Sequence, residues 1–167
     1  MKLLISLLIC LIGPYGSYNE PTVEDLRRLF YAAERDQAAF KKLTVTVAEI
    51  DNESAPVLIC YKGVSEMLAA KYTLSPISKL NKFRKGKRLI EAAIKLDPRQ
   101  LESRFLRFSI QTNLPGFLSY DGAIAEDKEM LLKQVAHISD KDLKNKVIRY
   151  LSSSKYCTEE EKKSIQK

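Results

Sequence analysis

One histidine, three cysteines, six glycines and six prolines in 167 residues leave little from which to build most catalytic or metal-binding apparatus. His137 is the single histidine, and neither a Cys-x-x-Cys pair nor a His-rich cluster accompanies it. A structural zinc site of the usual ligand spacing is therefore excluded, and a Cys–His nucleophilic pair is argued against. There is no glycine-rich phosphate loop and no Gly-x-Ser-x-Gly elbow, which sets aside the common routes to nucleotide binding and serine hydrolysis. The reading that follows is of a protein without a catalytic set, without a metal and without a cofactor. His137 itself, between Ala136 and Ile138 near a predicted helix end, suits a capping or partly buried role.

Long hydrophobic runs are also lacking. The longest, residues 3–12, is far short of the roughly 20 residues that a membrane-spanning helix needs. It follows Met1-Lys2 and stops at Gly13-Pro14, the three-part plan of a secretory signal over residues 1–17, with cleavage near Tyr15-Gly16-Ser17. Ile9 is too bulky before Cys10 for the usual lipoprotein pattern, so lipidation is not expected. The expected location is the periplasm or the cell exterior. The remainder, residues 18–167, has the size of one domain. It would retain Cys60 and Cys157, which outside the cytoplasm have the opportunity to pair. Cys60 falls on an apolar helical face and Cys157 near the chain end, so two separate thiols are expected.

What the chain does contain is apolar periodicity. Hydrophobic residues make up 45% and charged residues 29%, enough for a packed core. Thr22 with Asp25 resembles a capping box and opens a helix carrying Val23, Leu26, Leu29, Phe30 and Ala33 on one side. A second stretch runs through Phe40, Leu43, Val47 and Ile50, where the β-branched run from Thr44 to Val47 admits a strand. Pro56 suits the first turn of a helix reaching about Tyr72, and Ser75-Pro76 opens a long one to Leu96 with Leu80, Phe83, Ile90, Ala93 and Ile94 as its apolar positions. A further helix is predicted from Pro98 to about Thr112, followed by an apolar loop at 113–121. Ile124, Leu131, Val135 and Ile138 mark another helix, Ser139 with Asp142 restarts the chain, and Thr158 with Glu161 caps a last polar one. The prediction is an all-α fold of seven or eight helices in antiparallel pairs.

The run Gly86-Lys87-Arg88-Leu89-Ile90-Glu91-Ala92-Ala93-Ile94-Lys95-Leu96-Asp97-Pro98 resembles the second helix of a tetratricopeptide repeat, with Gly86, Ile90, Ala93 and Pro98 at the family's small, large, alanine and proline positions. Glu102 fits the start of a next repeat. Gly63 and Gly86, however, are 23 residues apart, about twice the family's spacing, and Phe108 stands where a small residue is expected. The phrase Arg104-Phe105-Leu106-Arg107-Phe108-Ser109-Ile110-Gln111, followed by Pro115-Gly116-Phe117-Leu118-Ser119-Tyr120, is similar to a family of exported bacterial helical proteins. These resemblances imply an irregular repeat-like, α-solenoid bundle and no particular activity.

Two polar sets stand out. Arg104, Arg107 and Gln111 share one helical face by their spacing. They are candidates for an anion or peptide-terminus site, rimmed by Phe117 and Tyr120 in a loop read as exposed; the alternative is pairing with carboxylates such as Glu66 or Asp127. Lys79, Lys82, Arg84, Lys85, Lys87 and Arg88 form a basic helix, but at 100° per residue they point around most of its circumference rather than along one stripe. Glu126, Asp127 and Glu129 crowd a helix start, as do Glu159, Glu160 and Glu161, where they favour the dipole. The net charge of +7 falls to +6 once residues 1–17, with Lys2 as their single charge, are removed. The expected function is non-catalytic binding of a protein or peptide. The alternatives are a small-ligand or enzymatic site around Arg104 and Arg107, or association of the basic helix with an anionic envelope surface. Export, and basic residues that point around most of their helix rather than along one face, argue against nucleic acid as a partner.

Overall fold

The computed structural model describes residues 20–165; the predicted signal segment, its cleavage point and Cys10 lie outside them. Within the described residues there are eight α-helices and no strand: α1 (Val23–Ala33), α2 (Gln37–Thr46), α3 (Pro56–Ala69), α4 (Pro76–Leu96), α5 (Leu101–Gln111), α6 (Ile124–Gln134), α7 (Lys141–Ser153) and α8 (Glu159–Ser164). Short 3-10 turns follow α3 and α6, and a third, Gly116–Leu118, lies between α5 and α6.

Local side-chain chemistry accounts for most helix starts. The hydroxyl of Thr22 accepts from the Asp25 N–H at 3.1 Å, and the carboxylate of Asp36 accepts from Ala38 and Ala39. Pro56 and Pro76 occupy the first turns of α3 and α4, with Ser75 capping the latter. Thr158 and Glu161 form a reciprocal capping box on α8. Two starts differ from expectation. The helix after Leu96 begins at Leu101 rather than Pro98, because Asp97 and Pro98 open a turn that Gln100 closes by accepting from the Glu102 N–H. α7 is capped by Asp140, whose carboxylate accepts the Leu143 N–H at 3.0 Å, and not by Ser139. The Thr44–Val47 stretch is helical through Thr46: burial of Leu43 and Val47 outweighs the β-branched preference, and the Thr44 and Thr46 hydroxyls donate to carbonyls one turn back.

The helices pack as pairs, α1 with α2, α3 with α4 and α5 with α6. In the α3–α4 pair Gly63 faces Gly86 and Ile90, while Met67 faces Gly86 and Glu66 bonds Lys82, so residue numbers rise along one helix as they fall along the other, the mark of antiparallel packing. A β-carbon on Gly86 would stand 2.6 Å from the Gly63 carbonyl oxygen and 2.5 Å from Met67 Cγ, and one on Gly63 would stand 2.9 Å from the Gly86 oxygen. The two backbones meet at this point because neither residue has a side chain. The 23-residue separation arises because α3 runs on for under two turns past the crossing and α4 starts nearly three turns before it.

α1, α3, α5 and α7 adjoin one another in that order. One apolar cluster joins α1 to α4 through Leu26, Phe30, Leu43, Tyr61 and Ile90; a second joins α5 to the C-terminal end through Phe108, Leu131, Val147, Leu151 and Ile165. α5 lies between them, giving Leu106 to the first and Phe105 and Phe108 to the second, with eight of its eleven residues buried. Cys60 is buried in the first cluster and Cys157 in the second, both as free thiols. Burial pushes the Cys60 thiol up to about 12, so it is protonated and unreactive at neutral pH. On α4, Leu80 is exposed and Phe83 half-buried rather than central to the core, because the start of that helix extends beyond its partner.

Candidate functional site

α5 carries ionic groups on both flanks, and each flank is closed by carboxylates or cations from other helices. On one side the Arg104 guanidinium donates to Glu126 at 2.6 Å, to Asp127 at 2.9 Å and to the Pro98 carbonyl at 2.9 Å. Arg107 grips Asp127 with two bonds, 2.7 and 2.8 Å, and reaches Glu91 at 2.8 Å. The Tyr120 hydroxyl donates to the other Glu91 oxygen at 2.6 Å. Burial acts to lower both guanidinium pKa values, but the hydrogen-bonded carboxylates outweigh it and the net direction is upward, so the arginines stay charged. Two cations face three carboxylates here, and Asp127 is wholly buried (0% exposed) between them. An incoming anion would have to compete with carboxylates already bonded to both arginines, and Asp127, shared by the two, is held in the interior.

Of the sequence candidates, then, Arg104 and Arg107 come together, with Asp127 as the partner. Glu66 is not part of the set: it pairs with Lys82 at 2.8 Å and Lys85 at 2.6 Å. Gln111 is buried on the same helix face but bonds neither arginine, and its side-chain oxygen accepts no hydrogen bond. Tyr120 was expected at an exposed rim and is buried, 6% exposed, because Glu91 holds its hydroxyl, Phe83 packs edge-on against its ring and the Lys87 ammonium sits 4.7 Å from its centroid. Phe117 is exposed as expected.

The other flank of α5 was not anticipated. Arg27 of α1 donates twice to Glu102, at 2.7 and 2.8 Å, and also contacts Asp140 at 2.8 Å and Asp142 at 3.1 Å on α7. Tyr61 of α3 donates to Glu102 at 2.6 Å. The Glu102 hydrogen bond leads in raising the Arg27 pKa, against burial. Four helices therefore meet on one buried carboxylate and one buried guanidinium. The trace of this in the sequence is Arg27 itself, which falls among Val23, Leu26 and Phe30 on the apolar stripe of α1.

Both ionic sets are occupied by protein partners; one concavity of the surface, by contrast, is mainly apolar. A groove of about 490 Å3 lies where the C-terminal ends of α1, α3 and α5 come together, floored by Phe30 and Val64 and walled by Met67, Leu68, Ile110 and Leu114. Its polar atoms come from Tyr31, Ser109, Asn113 and Tyr150, and Glu34 is the one charged residue in its lining. Burial raises the Glu34 carboxyl pKa, opposed by Arg35 and Lys71, and burial followed by the Glu34 charge raises that of Tyr31. An exposed carboxylate at the edge of an apolar trough favours a cation brought to it by a ligand.

The basic cluster is sorted by its surroundings. Lys82 and Lys85 belong to Glu66 and Lys87 to Tyr120, while Lys79, Arg84 and Arg88 are exposed and make no ion pair among the described residues. No group of three or more His, Cys, Asp or Glu residues suited to a metal ion occurs among the described residues. No known protein family matches the chain, and no curated protein and no solved structure is significantly similar to it.

Proposed function

We propose that the chain is an exported, non-catalytic binding domain that docks a peptide segment, apolar with one basic side chain, in the groove between the C-terminal ends of α1, α3 and α5. The observation that carries this is the groove itself: an apolar trough of about 490 Å3 whose lining includes a single charged group, Glu34. Its size and composition match sites that bury side chains of a ligand and orient it with few polar groups. The committed ion pairs of Arg104 and Arg107 support the reading, since they leave those residues as scaffold. The close crossing of Gly63 and Gly86 accords with the tetratricopeptide resemblance, and helical repeats commonly present their binding surface along one layer of helices. The export component rests on residues 1–17.

A random displayed peptide library panned against the protein tests this. Enriched sequences should combine apolar residues with Lys or Arg. Leu114→Asp should abolish their binding and Glu34→Gln should relax the basic preference, with the melting temperature of each variant unchanged. Enrichment without an apolar-basic bias, or binding that survives Leu114→Asp, would overturn the proposal, as would no enrichment at all.

A further inference from the structure

Residues 74–81 are all exposed, eight in succession at the start of a 21-residue helix. They project as a prong because α3 ends at Ala69 and, among the described residues, only the short 3-10 turn Ala70–Tyr72 packs beside the start of α4. The prong is not polar. Leu74 is 98% exposed, Ile77 75% and Leu80 38%, three large apolar side chains at three-residue intervals. Single exposed apolar residues are ordinary on a protein surface, but a run of them on one projection marks a contact. Leu74 precedes the N-cap Ser75, the place from which an apolar residue commonly packs down on the fourth helical position; here that position is Lys79, and Leu74 is left in solvent.

Charge follows the same segment. Between Met67 and Ile90 there are seven lysines and arginines and no carboxylate. Of these, only Lys82 and Lys85 are ion-paired among the described residues, both with Glu66, and Arg84 and Arg88 are exposed. At 100° per residue Ile77, Leu80, Arg84 and Arg88 fall within about 80° of one another, on the side of α4 away from Gly86, Ile90 and Ala93. The basic helix that looks unsorted in the sequence thus has one outward stripe, apolar at the tip and cationic behind it.

We infer that this prong is a membrane-contact element: Leu74, Ile77 and Leu80 enter the outer part of an anionic bilayer while Arg84 and Arg88 engage its headgroup phosphates. Apolar side chains ahead of cations on one exposed face match the two attractions that hold a protein at a lipid interface, burial of hydrocarbon and attraction to acidic headgroups. A nucleic acid would use the cations but offers nothing to Leu74 and Ile77. The contact is interfacial, since no helix among the described residues is long and apolar enough to cross a membrane. The inference concerns a face other than the peptide groove and does not depend on it.

The chain has no tryptophan, so Leu74→Trp places a single fluorophore at the tip and Leu96→Trp, likewise exposed, places one at the far end of the same helix, about 30 Å away. In the full chain, phosphatidylglycerol vesicles should blue-shift Leu74→Trp emission and leave Leu96→Trp unmoved, with the shift fading as salt rises. Phosphatidylcholine vesicles should give little shift. Adding Arg84→Gln or Arg88→Gln should each weaken partitioning about five-fold, and Ile77→Ser about ten-fold or more. An unmoved Leu74→Trp overturns the inference, as does an equal shift at Leu96→Trp. A shift insensitive to salt, or one unaffected by Ile77→Ser, overturns it as well. Because each readout sits at α4, contact made by residues 3–12 elsewhere on the vesicle cannot mimic the result.

Discussion

Replacing Gly86 with alanine sets two effects of opposite sign against each other. In an exposed helix interior the change stabilises by about 1 kcal/mol, since glycine is the poorer helix former. At Gly86 the added methyl would stand 2.6 Å from the Gly63 carbonyl oxygen and 2.5 Å from Met67 Cγ. Met67 can rotate away, but the carbonyl belongs to the backbone of α3, so the helices themselves must separate by several tenths of an ångström. Overpacking of this kind costs about 1–3 kcal/mol and sometimes more, and that cost exceeds the propensity gain. Set against a gain of about 1 kcal/mol, the expected net loss is up to about 2 kcal/mol, or a melting temperature lower by up to about 8 °C. Gly122→Ala is the matched control: nothing lies within 4 Å of its added methyl and its φ is not positive, so it should be neutral or stabilising by about 0.4–1 kcal/mol. Urea unfolding followed by far-ultraviolet circular dichroism reads both, as shifts of midpoint at constant slope. Gly63→Ala combined with Gly86→Ala should cost less than the sum, because helices already separated by one methyl have room for the other. If Gly86→Ala stabilised the protein as much as Gly122→Ala, the close crossing of α3 and α4 would be refuted.

Asp127→Ala removes the shared partner of two buried guanidinium groups and should cost about 3–5 kcal/mol, whereas Glu129→Ala, which loses an exposed pair with Lys133, should leave the urea midpoint close to that of the parent; equal urea midpoints for the two variants would refute the structural role of Asp127. Acid should destabilise the fold through Asp140, Asp142 and Glu66. The Asp140 carboxyl is held low by the Leu143 N–H and, against burial, by Arg27; for Asp142 and Glu66 burial acts upward but is outweighed by Lys146 with Arg27 and by Lys82 with Lys85. Folded values below the unfolded ones mean stability that is present above about pH 4 and lost as pH falls through the folded values. Glu34, raised by burial, runs the other way and offsets part of this. A urea midpoint that did not fall between about pH 6 and pH 3 would contradict these assignments.

What was legible in the sequence follows from distance along the chain. Caps are read within three or four residues, so Thr22, Pro56, Ser75-Pro76 and the Thr158–Glu161 box could be recognised, and with them the all-helical class. Arg104 and Arg107 were visible as a pair because one helix turn brings them together, and Asp127 could be named among their partners, but Glu91 and Glu126 could not be told from surface carboxylates. Tyr120 was misread because its loop looks solvent-facing until Glu91, Phe83 and Lys87 arrive from α4. The bond from Arg27 to Glu102 spans 75 residues, and no local pattern fixes which carboxylate a lone stripe arginine will meet. The groove was illegible for the same reason, being assembled from the ends of helices that sequence places far apart.

The clasp of Arg27 by Asp140 and Asp142, with Lys146 lying 4.5 Å from the Tyr31 ring centroid, ties the first helix to the seventh. A linear stack of repeats touches only its neighbours, so it can fray from either end and can be lengthened by inserting another unit. This molecule is a circuit instead. The contact from Arg27 to Asp142 closes a loop of 115 residues, so loop-closure entropy is expected to place it after the more local helix pairs in folding. Adding or deleting one helix pair would break the circuit rather than lengthen a stack, which limits the fold to its present number of turns.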